Sequence, residues 1–161
     1  MWQDLIHVMQ GIKRDYEALR KLASKKRALL VTVNLKELEA LIKEEEALAA
    51  SLRQKEEKRQ AILLRIAANL PEVTPDTKLS ALAQFCPSPP YAKLLGDLAE
   101  ALDELVRETK ASTEQNELLL VSALDAVQWH LNKIGDAKVD QSYGVGGKEQ
   151  VSHAKRLDFK A

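Results

Sequence analysis

Gly144 to Lys148, GVGGK, is the stretch of this chain that looks most like a phosphate-cradling loop. Such a loop needs its glycines at fixed spacing after a strand, with Ser or Thr behind the lysine. Here the first glycine is out of place, Glu149 follows the lysine, and no strand pattern precedes the run. His7, His130 and His153 stand far apart, without the spacing of metal ligands. His130 reads as a partly buried residue of an amphipathic helix. Cys86 precedes Pro87 in a linker with no evident base, so nucleophilic catalysis is not expected of it. Glu44, Glu45 and Glu46 could pair for acid–base work, but with Lys43 beside them they read as a solvated helix face. Lys25, Lys26 and Arg27 form a solvated cluster too small for a nucleic-acid footprint. The expectation is therefore no catalytic residue, no metal and no cofactor.

The chemistry left to consider is recognition. Ser112 to Ile134 carries more apolar surface than one helix face needs. Leu120, Leu124, Val127, Leu131 and Ile134 make one stripe, and Leu119, Ala123 and Ala126 a second beside it. Leu118, Val121 and Trp129 spread onto a third side. A helix apolar on several sides must be covered on several sides, either by its own chain or by a partner. If by a partner, Leu120, Leu124, Val127 and Leu131 would take an amphipathic helix in a groove. The alternative turns this stripe to the chain's own hairpin and another side to the partner. Further on, Tyr143 is an isolated aromatic between Ser142 and Gly144, and Leu157 and Phe159 form a second apolar pair in a polar tail. A tyrosine offers a large ring and a hydroxyl at low entropic cost, which suits a short anchor.

The elements that hold these residues are helical. The chain has 161 residues, one domain's length, with 24 basic and 24 acidic side chains. With no net field, neither nucleic acid nor an anionic membrane is an expected partner. Aromatics at 4% and charge at 30% fit long amphipathic helices. A single cysteine excludes an internal disulfide framework and is compatible with a reducing cytoplasm. The first residues, MWQDLIHVMQ, give no signal-peptide pattern, and no apolar run is long enough to span a membrane.

Trp2, Leu5, Met9, Ile12, Tyr16, Leu19, Ala23, Lys26, Leu30 and Val33 recur at three- and four-residue spacings. They predict a first helix over about 2–32, with Gly11 off the seam. Asn34 with Glu37 predicts a capping box and a second helix over 34–70. Its seam is Leu38, Ile42, Glu45, Ala49, Leu52, Glu56, Arg59, Leu63, Ile66 and Leu70. So short a turn makes the two helices antiparallel, with Lys26 opposite Glu45 and Arg59 opposite the first turns of helix one. The charged middle of this seam leaves room for a third helix. All five prolines fall between Pro71 and Pro90, around a short helix over 78–85. A third long helix is predicted over 91–134, with Leu95, Leu98, Leu102 and Leu105 as its first stripe. Thr109, Ser112 and Asn116 continue that seam, and Gly135 is the expected stop. The predicted fold class is all-α: a long antiparallel helical hairpin with a long third helix, a coiled-coil-like bundle over 1–135. Residues 136–161 are expected to be a flexible tail.

These pieces resemble a known family. KKRALLVTVNLKELEALIKEEEAL followed by EEKRQAIL looks like the hairpin of FlgN-type flagellar export chaperones, with its Lys-rich entry, acidic cluster and arginine. TEQNELLLVSALDAV is similar to that family's Asn-x-x-Leu-Leu stretch, here Asn116, Leu119 and Leu120. SYGVGGKEQVSH resembles its tail signature, here Tyr143, Gly144, Gly147, Val151, Ser152 and His153. The resemblance covers nearly the whole chain. It implies a cytoplasmic, non-enzymatic chaperone that escorts hook-associated proteins to the flagellar type III export apparatus. It implies that clients dock on the C-terminal helical region, here Asn116, Leu119, Leu120, Leu124, Val127 and Leu131. It implies that the tail, here Tyr143, Gly144 and Gly147, meets the cytoplasmic domain of the export gate. Two readings stay open beside it: a coiled-coil adaptor that homodimerises through helix three, and an export chaperone for flagellin or the filament cap.

Overall fold

A computed structural model describes residues 1–140. Four helices follow in order: α1 (Trp2–Thr32), α2 (Leu35–Ala67), α3 (Leu79–Phe85) and α4 (Pro89–Asp140). Among the described residues there is no strand, so the all-α class holds. No helix among them is long and apolar enough to cross a membrane. The chain divides into two compact units, Met1–Leu124 and Asp125–Ala161.

In the first unit, α1 ends as a left-handed cap. Val33 has φ 53° and ψ 39°, and its N–H donates to Leu30 O while that of Asn34 donates to Leu29 O. This is a Schellman pattern, in which the left-handed residue is usually glycine. A valine there costs about 1–2 kcal/mol, because Cβ crowds the following carbonyl. Asn34 Oδ1 then accepts from Glu37 N at 3.3 Å and opens α2. The predicted capping box is only half available, since the Asn34 N–H is already spent on Leu29.

The hairpin is antiparallel and in register. Lys26 Nζ lies 2.7 Å from Glu45 Oε2, as the seam predicts. Nearer its middle, buried Asp15 accepts from Lys55 Nζ and from Ser51 Oγ at 2.8 Å. Lys55 reaches Asp15 by lying across Gly11. A Cβ added to that glycine would stand 3.1 Å from Lys55 Cε. Gly11 therefore belongs to the buried face and not to the outside. Arg59 pairs with Glu56 on its own helix, at 2.6 and 2.8 Å, rather than across the hairpin. Two expected seam positions shift by one residue. Leu41 is buried at 5% exposure, while Ile42 is 40% exposed. Leu48 is likewise half-buried and Ala49 exposed. A straight helix drifts about 20° per heptad against a strict seven-residue repeat, which is enough to hand the inward position to a neighbour.

α2 stops at Ala67, short of the predicted Leu70. Leu70 precedes Pro71, and the proline ring disfavours helical geometry there. The chain turns instead, and brings Val73 and then Leu82 of α3 into the core. Pro89 and Pro90 occupy the first positions of α4, where a missing N–H costs nothing.

α4 returns beside α1 and parallel to it. Arg20 Nη1 meets Glu108 Oε2 and Arg27 Nη1 meets Gln115 Oε1, both at 2.7 Å and both with an offset of 88 residues. The main core lies at the end remote from the hairpin turn. It joins Leu5, Met9 and Ile12 to Leu63, Ile66 and Val73, and to Leu82, Leu95, Leu98 and Leu102. Each such side chain stabilises the fold by about 1.5–3 kcal/mol through burial. Leu98, Leu102 and Leu105 stand level with residues 10–17 of α1, so α4 supplies apolar cover where the hairpin seam is charged.

In the second unit, side chains 125–135 are exposed. The helix runs through Gly135 to Asp140, so the stop expected at that glycine is not taken. Glycine inside a helix costs about 1 kcal/mol relative to alanine but keeps its N–H in the hydrogen-bond ladder.

Candidate functional site

In the first unit, the inward seam of α4 turns polar at Thr109, Ser112 and Asn116. Asn116 is buried, and its Nδ2 donates to Ala23 O at 2.8 Å, which ties α4 to α1. The Thr109 hydroxyl is buried with no hydrogen-bond partner among the described residues. Leu119 and Ala123 extend the same seam and are half-buried.

Leu120 and Leu124 sit on the flank of that seam and are exposed, as are Leu118 and Val121 further round. The register explains this. With an offset of 88 residues, Thr32, the last residue of α1, stands level with Leu120. Beyond that level α1 has no side chain to set against α4. The apolar excess of this helix is thus left uncovered by the hairpin within the first unit.

In the second unit, Val127, Leu131 and Ile134 are exposed, as is Trp129. The Trp129 ring meets His130 edge-on at 4.9 Å, and Lys133 Nζ stands 5.3 Å from its centroid. His130 is exposed, contrary to the expected partial burial. The remaining expected site residues, Tyr143, Gly144 and Gly147, lie outside the described residues.

A second group of exposed apolar side chains includes Val33 and Ile42, which the seam pattern places inward. Val31, Val33 and Leu35 gather at the hairpin turn, and Ile42 lies farther along α2. The available signals were Val31 and Leu35, which the seam patterns do not include.

No group of three metal-ligating side chains occurs among the described residues. Cys86 is half-buried, and its Sγ meets Ser88 O at 3.7 Å. The hydrogen bond from Arg59 holds the Glu56 carboxyl below its usual range, against the opposing effect of partial burial, and the same bond raises the Arg59 guanidinium. This is a structural ion pair on one helix face. What the first unit presents is a helical scaffold with an uncovered apolar flank on α4.

No curated protein and no solved structure matches the chain. The family model described as FlgN protein matches residues 1–150, and so takes in the hairpin, the connector and α4 together. FlgN proteins are chaperones of flagellar export that bind hook-associated proteins, and the seam, the connector and the uncovered flank of α4 are parts of a chain that belongs to this family.

Proposed function

We propose that this chaperone works in the cytoplasm, where it binds the C-terminal regions of hook-associated proteins, prevents their premature assembly and delivers them to the export gate. The observation that carries the reading is the exposure of large aliphatic side chains along α4, from Leu120 and Leu124 to Val127 and Leu131. An amphipathic client helix laid on these side chains removes them from water, at about 25 cal/mol for each Å² of apolar area buried. Leu119 forms the inner edge of the surface. Asn116 acts from beneath it, through its hold on Ala23. The test is Leu124→Asp with Leu131→Asp. The double variant should keep its helical content and lose binding to hook-associated protein C-termini in a pull-down. Unchanged binding by the folded variant removes these residues from the site. Light scattering of the purified chain separates this reading from a homodimeric adaptor, which would cover the same side chains with a second copy.

Delivery is assigned to the tail. Tyr143, flanked by Ser142 and Gly144 and followed by Gly147, docks on the cytoplasmic domain of the gate once a client is bound. The glycines let the backbone approach a partner closely. Tyr143→Ala should keep client affinity and Tm and lose gate binding. Loss of client binding, or gate binding fully kept by the client-loaded variant, sinks this assignment.

A further inference from the structure

The hairpin turn carries apolar side chains that the fold does not use. Val33 is 58% exposed, and Val31 and Leu35 beside it are exposed as well. Val33 also holds φ 53°, a region that glycine enters freely and a β-branched residue resists. Its side chain recovers little packing from this chain in return. Leu118 of α4 joins the group. Arg27 Nη1 meets Gln115 Oε1 at 2.7 Å, and Val31 and Leu118 follow these two residues by one helical turn on the same faces. Leu118 is 70% exposed.

Along the last turns of α1 the charge has one sign, while on α4 Glu114, paired with Lys110, and Glu117 flank Leu118. Between Glu17 and Glu37 there is no acidic residue, while Arg20, Lys21, Lys25, Lys26, Arg27 and Lys36 are basic. Glu108 holds Arg20 and Glu45 holds Lys26. Among the described residues, Lys21, Lys25 and Arg27 have no acidic partner. From Lys21 to Val33 the helix shaft is roughly 18 Å long. That is about twice the screening length at physiological salt. A flat surface meeting the turn end-on would feel Val33 and not Lys21, whereas a rod lying along α1 meets both.

We propose that the last turns of α1, the turn after them and Leu118 dock an acidic amphipathic helix of a partner protein. Its aliphatic side chains rest on Val31, Val33 and Leu118, and its carboxylates face Lys21, Lys25 and Arg27. The pairing of opposite charge fixes its direction and speeds its arrival. This surface is distinct from the proposed client stripe. Leu118 and Leu120 lie on opposite sides of half-buried Leu119, each about 100° round the helix from it.

The full chain is titrated against fluorescein-labelled helical peptides and the anisotropy is followed. One peptide carries leucines at helical spacing with glutamates on the flank. A second has lysines in place of the glutamates, and vesicles containing phosphatidylserine form a third arm. The glutamate peptide should bind about tenfold tighter than the lysine peptide. Lys21→Glu with Lys25→Glu should weaken the glutamate peptide by about tenfold and reverse the preference. Val33→Gly should weaken binding while raising Tm, since it removes the strain and the contact together. A purely structural valine would show the second effect without the first. Leu124→Asp, on the client stripe, should leave peptide affinity unchanged, whether or not it abolishes client binding. Wild-type affinity in the charge-reversed variant or in Val33→Gly overturns the proposal. So does capture by vesicles without binding of the glutamate peptide, or loss of peptide binding in Leu124→Asp.

Discussion

Asn116 Nδ2 donates to the carbonyl oxygen of Ala23 at 2.8 Å, inside the interface between α4 and α1. The bond lies where the leucine seam of α4 has given way to Thr109 and Ser112, so a directional polar contact holds what apolar packing no longer does. Asn116→Ala should cost about 1–2 kcal/mol in urea denaturation. Asn116→Asp should cost more at neutral pH, because a buried carboxylate would face a carbonyl with no proton to give. If instead Asn116→Ala lowers client affinity and leaves the urea midpoint alone, Asn116 is a contact residue and not a positioning one.

The seam of α2 makes a sharp comparison between neighbours. Leu41→Ala should destabilise by about 2–4 kcal/mol, since it truncates a buried leucine and leaves a cavity. Ile42→Ala, one residue on and exposed, should change stability by less than about 1 kcal/mol. Thermal melts of the two variants settle which of the two side chains faces α1. Equal losses would mean that both do.

Asp15 is the buried acid of the hairpin, and Lys55 is its counter-charge across Gly11. Lys55→Met should destabilise by about 1–3 kcal/mol at pH 7, leaving Asp15 with Ser51 alone. Adding Asp15→Asn should recover part of that loss, because the uncompensated charge is gone. A double variant no more stable than Lys55→Met would show that Asp15 is satisfied by other means.

Glu56 gives the hairpin an acid-sensitive element. The hydrogen bond from Arg59 lowers its carboxyl below the unfolded value, so the stabilisation is present at neutral pH and fades as pH falls through the folded value. The stability difference between the natural chain and Glu56→Gln should therefore shrink as pH falls from about 7 to about 3. A difference that stays constant over that range would mean the carboxylate is not stabilised by folding. The pair is partly exposed, so added salt should reduce the difference as well.

Much of the fold is legible in the sequence because it is written in local chemistry. Asn34 marks the start of α2 through an Oδ1 that reaches Glu37 N. The clustered prolines mark the connector, since they cannot continue a helix. Lys26 and Glu45 are readable as opposites once the short turn makes the hairpin antiparallel. Periodicity, however, specifies that a face is apolar and not what the face meets. The choice of Leu41 over Ile42 depends on where α1 lies around α2. The burial of Gly11 depends on the path of the Lys55 side chain. The exposure of Leu120 and Leu124 depends on α4 running parallel to α1 with an offset of 88 residues, so that α1 ends at their level. Local spacing carries no record of that offset. It is set by how long the connector is and where its core residues, Val73 and Leu82, come to rest, and this is why the tertiary structure alone decides which apolar side chains are left for a partner.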